Sequence, residues 1–404
     1  MVWVGIDDTD SHEKGCTTYV MYNMIKEFLR TRSQDRVLGY PRLIRLNPNI
    51  PFKTRGNAAV AVNLDIDPGE ALELAEWAVD AYSHRVGKTS PGIVISSDDS
   101  HHWIYWRALT GIVTRDVAER WVRKVNALSR GGRGIVGALA AIMADLRGDS
   151  TLELLAYHED GKPEADYNLV KLIDEATAPF TFENIGEGNV LIQPHGKDPV
   201  VYGIRGDSPY HLLIAASIIS STLNIEEKWI IYVTNQGTEA HMYATSSRPY
   251  GQYLTYGVLK GRSVSNEGNV LLDIDGVKAF AYRHYGFKML DKARGLLAYG
   301  GLKPGPEGIY MYVEGGLATL IDATYGNPRC PRCGGILKAN GRLGELKCSK
   351  CGFRTYVPRR MEYRSLIIHE EPRQSELRHL HKPISRLGLE GLANSLPRPT
   401  LWIV

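Results

Sequence analysis

The first segment of the chain with a clear hydrophobic pattern, Val2 to Ile6, is a short apolar run that predicts a strand. From about Thr17 the period changes, because apolar residues fall at Val20, Met24 and Phe28 and again at Met21, Ile25 and Leu29, the spacing of a helix. A strand is expected at Ala58 to Leu64, a helix at Glu70 to Tyr82, and a further apolar strand at Ile93 to Ser96. An amphipathic helix is expected from Val117 to Leu128, ending at the glycine-rich Ser129-Arg130-Gly131-Gly132. This succession predicts α/β or α+β layering for the first region.

A second region then opens with Gly132-Arg133-Gly134 and a small-residue helix. Its strands are expected at Leu152 to Tyr157, Val200 to Ile204 and Trp229 to Val233, and its helices at Asn168 to Ala176 and Pro209 to Ser220. Two helices among several strands suit a split βαβ, ferredoxin-like domain. After Tyr250 the helical period fades. Strand-like segments at Asn269 to Ile274, Lys278 to Arg283 and Gly308 to Val313, separated by turn residues, read as a small β-barrel. With the aromatic and basic run Tyr282-Arg283-His284-Tyr285 this is compatible with an OB-fold that binds single-stranded nucleic acid. The expectation is a multi-domain α+β protein. It would comprise an α/β domain over 1–130, a ferredoxin-like domain over 131–250, an OB-fold barrel over 251–325, a zinc ribbon over 326–360 and an extension over 361–404.

The 404 residues are enough for about three domains of ordinary size, and 43% hydrophobic content suffices for their cores. A net charge of +3 does not by itself announce a nucleic-acid binder, so any basic surface must be local. No signal-like segment opens the chain, and its longest apolar stretch, Leu212 to Ile219, is too short for a bilayer. A cytoplasmic protein without membrane contact is expected.

The end of the first strand carries Asp7, Asp8 and Asp10, followed by Gly15, Cys16, Thr17 and Thr18 at the predicted helix start. Each of these residues alone is ordinary cap or turn chemistry. Three carboxylates together are the oxygen-rich donor set that Mg²⁺ requires, with Asp7 and Asp8 as candidate ligands. Free amides at the helix start, aided by the macrodipole, suit a phosphate, so the pair of features points to nucleotide chemistry. Cys16, pulled in opposite directions by dipole and carboxylates, reads as packing rather than nucleophile.

Arg45 to Asn57 has prolines that forbid a helix and donors suited to phosphate, notably Lys53 and Arg55, beside Gly56 and Asn57. The same residues are also good turn chemistry. Gly132, Gly134 and Gly137 match a dinucleotide fingerprint in spacing, but they follow a helix instead of a strand, which excludes NAD. They still allow close approach of a phosphate beside Arg133. Asn235 to His241 follows a strand and offers amide, carboxylate and imidazole groups, with His241 readable either as a base or as a core histidine. Glu239 and Asp207 are candidate partners for a cationic substrate.

Cys330, Cys333, Cys348 and Cys351 form two CxxC pairs whose spacing lets four thiolates meet on one Zn²⁺, leaving no open position, so the metal is structural. Arg329, Arg332, Lys338, Arg342, Lys347, Lys350, Arg354, Arg359 and Arg360 surround it, a density suited to phosphate backbone contact or to a solvated basic face. From the residues alone, the chain is an ATP-using protein that holds RNA.

The order Gly5-Ile-Asp-Asp-Thr-Asp10, a spacer, then Gly15-Cys-Thr-Thr-Tyr-Val20 resembles the amino terminus of the archaeal tRNA(Ile) 2-agmatinylcytidine synthetase family. The similarity continues through Arg45 to Asn57, Gly132 to Ala141, Asn235 to His241, the cysteine pairs and His381-Lys382-Pro383. The resemblance implies ATP-dependent joining of agmatine to the wobble cytidine of isoleucine tRNA with a CAU anticodon, with release of AMP and phosphate. It further implies phosphorylation of the cytosine carbonyl oxygen and a phosphorylated threonine, for which Thr17 and Thr18 are the matching positions. Tyr19 and Trp103 are aromatic candidates for supporting the displaced base. A non-catalytic single-strand binder built on the barrel and ribbon is the alternative, and an RNA-directed kinase a third reading.

Overall fold

The structure is a computed structural model and describes residues 1–54, 56–147, 150–158, 165–185, 190–193, 199–223, 228–238, 240–242, 249–264, 269–281, 295–305, 307–325, 327–340, 345–356, 361–368 and 402–404. Arg55, Glu239, Arg342, Arg359, Arg360, the run Tyr282-Arg283-His284-Tyr285, and His379, His381, Lys382 and Pro383 lie outside the described residues. Two compact units are present, one mainly from Met1–Tyr253 and one mainly from Leu254–Tyr299 and Tyr310–Arg373.

In the first unit, β1 (Val2–Asp7) leads to α1 (Thr17–Thr31), β2 (Arg42–Arg45), β3 (Ala58–Leu64), α2 (Pro68–Tyr82), β4 (Gly92–Ser96), α3 (Trp103–Thr110), α4 (Arg115–Lys124), β5 (Leu128–Gly131) and α5 (Ile135–Ile142). The second half follows as β6 (Thr151–Tyr157), α6 (Tyr167–Thr177), β7 (Thr181–Phe182), β8 (Val200–Gly206), α7 (Pro209–Leu223) and β9 (Trp229–Thr234). All nine described strands join one sheet in the order β5-β4-β1-β3-β2-β9-β6-β8-β7. Its β9-β6-β8-β7 half is antiparallel throughout and has the order expected of a split βαβ pair. The two halves meet where β2 runs parallel to β9, with Arg42 opposite Val233 and Leu43 opposite Thr234. Further along β9, Ile230 pairs with Ile403, and the Tyr22 hydroxyl donates to the Val404 carbonyl at 2.7 Å.

The predicted helix over Val117 to Leu128 is corrected: α4 spans Arg115–Lys124, and Leu128 starts β5, which pairs with β4. Pairing to an open sheet edge satisfies backbone groups that the polar end of the helix left to solvent. α2 begins earlier than the periodicity indicates because Asp67 caps it, accepting the Gly69 amide at 2.8 Å, with Pro68 at the first helical position.

Glycines set the separation between α5 and the sheet. A Cβ at Gly5 would collide with the Ala138 carbonyl, one at Gly92 with the Ile135 and Gly134 backbone, and one at Gly134 with the Asp7 carbonyl. With no side chain at these three positions, α5 packs close on β1, β3 and β4 over a core that includes Ile135, Ala138, Leu139 and Ile142.

In the second unit β10 (Gln252–Val264), β11 (Val270–Ile274), β12 (Val277–Ala281), β13 (Gly295–Gly305) and β14 (Gly308–Tyr325) follow one another. They pair in the order β12-β11-β10-β13-β14, and parallel pairing of β12 with β14 closes the barrel. A three-stranded ribbon of β15 (Leu337–Ala339), β16 (Leu346–Cys348) and β17 (Arg354–Thr355) follows, and β18 (Met361–Ile368) then pairs with β14.

The Gly92→Ala variant is expected to lose about 2 kcal/mol or more, because its methyl group meets backbone that cannot rotate away. Urea unfolding of the variant beside wild type measures this, and equal midpoints would show that α5 can shift freely.

Candidate active site at the end of the first strand

A cavity of about 580 Å³ opens where β1 ends, within the first unit. Asp7, Asp8, Asp10, Thr17, Thr18, Lys53, Gly56, Asn57 and Arg133 all line it, so residues separated by more than a hundred positions form one wall system. Gly15 does not line it; its positive φ of 97° serves the turn into α1. Gly132 and Gly134 stand behind the wall, against Ser90 and the backbone of Asp7 and Gly92.

Asp8 lies at φ 57°, a left-handed conformation that aspartate tolerates better than most residues. It is 6% exposed. Its Oδ2 accepts from Arg133 Nη2 at 2.6 Å, while its Oδ1 is buried without a hydrogen-bond partner. Burial raises its carboxyl above the ordinary value, against the opposing pull of the Arg133 charge. Asp7 sits over Gly137, where a Cβ would strike its Oδ2, and burial followed by the charge of Asp8 pushes its carboxyl well up. Asp10 accepts the Thr54 hydroxyl at 2.8 Å and, through its backbone carbonyl, the Thr89 hydroxyl at 2.8 Å. A cation is the natural complement of an orphaned carboxylate oxygen beside a second unwillingly charged group. The three carboxylates do not close on one point, however. Among the described residues the four cysteines are the only set of three or more such donors that does.

α1 begins at Thr17 with no side-chain cap from Cys16, and Thr17 and Thr18 of its first turn line the same cavity as the acids. Thr9 donates to Thr17 Oγ1 at 3.1 Å, and the Cys16 thiol and Thr18 hydroxyl are 2.9 Å apart. This contact fits Cys16 as a packing residue. The Tyr232 hydroxyl, from β9, donates to the Thr18 carbonyl at 2.9 Å, tying the first turn of α1 to the other half of the sheet. Lys53 is held below its ordinary value by burial and then by Lys303.

The remaining wall comes from the second half of the sheet: Glu153, Leu155, Leu191, Ile192, Val200, Gly203 and Arg205. Arg45 and Arg205 flank Glu153 at 3.8 and 3.9 Å, and Arg205 also pairs with Glu183 at 2.5 Å. Glu153 is 3% exposed and its Oε2 has no hydrogen-bond partner. Sequence reasoning missed Glu153 and Glu183. The available signal was a single carboxylate inside the otherwise apolar strand Leu152 to Tyr157, which burial on both faces makes costly. The Asn235 to His241 stretch turns out to brace the cavity. Asn235 accepts the Arg45 amide at 2.9 Å and donates to the Arg45 carbonyl at 3.0 Å, and Gln236 accepts Arg45 Nε at 3.0 Å. His241 is buried with Nε2 3.3 Å from the Leu46 carbonyl, and burial lowers its pKa to about 4. His241 thus sits as a buried imidazole that does not line the cavity. Tyr19 does not line the cavity, and its ring packs among Tyr22, Tyr82 and Tyr157.

In the ribbon, Cys330 and Cys351 sulfurs are 3.6 Å apart and those of Cys333 and Cys348 3.5 Å. Tetrahedral Zn²⁺ with bonds of about 2.3 Å needs sulfurs about 3.8 Å apart, so the donor set fits the ion. The amides of Cys351 and Lys350 point at Cys348 Sγ and lower that thiol to about 6, favouring the thiolate a metal requires.

Sequence profiles described as TiaS TCKD domain and TiaS FLD domain match residues 3–130 and 132–241. The isoleucine tRNA 2-agmatinylcytidine synthetase TiaS of Caldivirga maquilingensis is 55% identical over 406 residues, covering 100% of both chains. Its namesake from Pyrobaculum neutrophilum is 42% identical, covering 95% of each. Among solved structures, a crystal structure of TiaS in complex with an isoleucine tRNA and ATP is similar with a TM-score of 0.72 and 29% identity, over 95% of this chain and 97% of that one. A complex of TiaS with an isoleucine tRNA, AMPCPP and agmatine gives 0.70 and 27%, over 96% and 98%.

Chelation of the metal-loaded protein is expected to release one zinc per chain and to unfold the ribbon while leaving the rest intact, read by hydrogen exchange over residues 327–356; unchanged protection there would exclude a structural metal. For His241 the folded pKa lies below the unfolded one near 6.5, so its neutral burial stabilises the protein above pH 6.5 and that stability is lost as pH falls toward 4. Unfolding at pH 7 and pH 5 should accordingly show wild type losing more on acidification than His241→Gln, by on the order of 1–2 kcal/mol.

Proposed function

The chain belongs to the TiaS family of isoleucine tRNA 2-agmatinylcytidine synthetases, and from that premise we propose that its cavity uses ATP to join agmatine to the wobble cytidine of isoleucine tRNA bearing CAU. The observation that carries this reading is the buried, partner-seeking carboxylate of Asp8, which shares with the start of α1 a cavity walled by both halves of one sheet. A simple single-strand binder has no use for such a group, since burying a carboxylate with one oxygen unsatisfied costs stability even beside Arg133. That alternative is not favoured, and the likeness to TiaS complexes containing ATP and agmatine weighs the same way.

In this reading Asp7, Asp8 and Asp10 act in catalysis with Thr17 and Thr18, Lys53, Arg55, Gly56, Asn57 and Arg133 serve the nucleotide directly, and Gly15, Gly132 and Gly134 serve it from behind the wall by shaping the backbone that carries those groups. Asp7 and Asp8 would hold Mg²⁺, which when bound neutralises triphosphate charge. Arg133 and Lys53 supply fixed positive charge on either side of the migrating phosphoryl group, and the α1 amides take up charge on its oxygens. The cytosine carbonyl oxygen is a poor leaving group until it carries phosphate. The agmatine amine then bonds to that carbon and gives up a proton, the carbon–oxygen bond breaks and phosphate departs with the oxygen, while the ADP left by the transfer becomes AMP as water cleaves off its β-phosphate as a second phosphate. The apolar walls of Leu155, Ile192 and Val200, ending near Glu153, suit an extended aliphatic chain with a cationic end.

We assign the division of labour in the order of the chain: a kinase-like domain through residue 130, a ferredoxin-like domain over 131–250, an OB-fold barrel over 251–325, a zinc ribbon over 326–360 and an extension over 361–404. The strand order of β9-β6-β8-β7 and the closure of β12 on β14 support the middle two assignments. Among the described residues no helix is long and apolar enough to cross a membrane. A cytoplasmic location agrees with a tRNA substrate.

Incubation with ATP, Mg²⁺, labelled agmatine and this tRNA should place label in the RNA with wild type and at least a hundredfold more slowly with Asp8→Asn. Absence of label with wild type despite tight tRNA binding would reject the synthetase, and phosphate transfer without agmatine would convert it to a kinase.

A further inference from the structure

Beside the cavity lies a second depression, between α3 and α4, lined by Trp103, Arg107, Ile112, Val113, Thr114 and Val117. Ile112, Val113 and Thr114 line both, so the groove continues the rim of the cavity. Trp103 stands at its far side with 51% of its surface exposed. Its inner face stacks on Trp121, ring centroids 5.4 Å apart and planes 22° from parallel. Trp121 is in turn backed by His101, at 5.4 Å between centroids, and by the Lys124 ammonium, 3.9 Å from its ring centre. The groove lining contains one cation, Arg107, and no carboxylate.

An indole this exposed is held in its plane by stacking on Trp121, itself backed by His101 and Lys124, which reduces the rotamer entropy that a free surface tryptophan would lose on contact. Its outer face is a flat π-surface in a positive setting, the chemistry that single-stranded nucleic acid uses for stacking. The proposed reaction supplies the need for it. A nucleotide that leaves its stack to enter the cavity strips one stacking face from each neighbour.

We propose that the Trp103–Trp121 stack is a docking platform for an unpaired nucleotide of the tRNA next to the one that enters the cavity, with Arg107 contacting the connecting phosphate; this rests on the proposed RNA modification. The platform compensates the unstacked neighbour, and the shared rim of Ile112, Val113 and Thr114 carries the strand from one site to the other. Trp103 is a binding and positioning residue. It touches neither ATP nor the amine.

The test uses the full-length protein and the tRNA carrying 2-aminopurine at either position flanking the reactive cytidine. Wild type should quench one of the two probes on binding, Trp103→Ala should abolish that quench and weaken tRNA binding about tenfold, and Trp103→Phe should retain most of both. Arg107→Gln should weaken binding and flatten its salt dependence by about one charge. In all three variants the KM values for ATP and agmatine should stay within twofold of wild type. Unchanged quench and affinity in Trp103→Ala would overturn the platform while wild-type incorporation of labelled agmatine still upheld the synthetase. Loss of agmatine incorporation by wild type itself would instead remove the reading on which the platform rests. Unaltered RNA binding together with a change in the sedimentation of Trp103→Ala would make this face a protein contact, and the proposal would fall.

Discussion

The cavity depends on how closely α5 lies against β1 and β4. Side-chain atoms at Gly5, Gly92, Gly134 or Gly137 would each occupy space already filled by backbone or by Asp7. Because that space is shared, Arg133, just ahead of the helix, comes within 2.6 Å of Asp8, and Asp7 is pressed onto the helix at Gly137. The same proximity that buries the acids brings the Arg133 guanidinium, which partly offsets their burial. Wider helix–sheet spacing would hydrate both aspartates and leave an ordinary surface loop.

A second dependency runs across the sheet. The parallel contact of β2 with β9 is only two residue pairs long, yet it brings Asn235 and Gln236 onto Arg45 and Tyr232 onto the Thr18 carbonyl. Residues of the second half thus hold in place the strand end and helix start of the first. The chain of Arg45, Glu153, Arg205 and Glu183 extends this across four strands or strand ends with alternating charge, which is how buried ions are kept from being isolated.

The ribbon is organised differently. Among the described residues its apolar cluster comprises Cys330, Leu337, Leu346 and Cys348, with Cys333 and Phe353 packed against them. So small a core leaves the four sulfurs as the main organising element, in keeping with a structural metal.

Much of this was legible in the sequence because it is local. Period and composition located β1, α1 and the later strands, the CxxC spacing defined the thiolate set, and Asp7, Asp8, Asp10, Thr17 and Thr18 lie within twelve positions of one another. The end of α4 was misread because the helical pattern runs on to a residue that a neighbouring strand claims. Gly132 to Gly137 looked like a phosphate loop, but what its glycines meet is Ser90, Gly92 and Asp7. Glu153 and Trp103 acquired their meaning from what stands beside them: two arginines from other strands in one case, a tryptophan from the next helix and the cavity rim in the other. Sequence by itself therefore determined the elements, the metal-binding thiols and the acidic strand end, since backbone propensity and ligand spacing act over a few residues. Only the tertiary structure decided which carboxylates lose water and which ring keeps a free face, because desolvation is set by neighbours that arrive from distant parts of the chain.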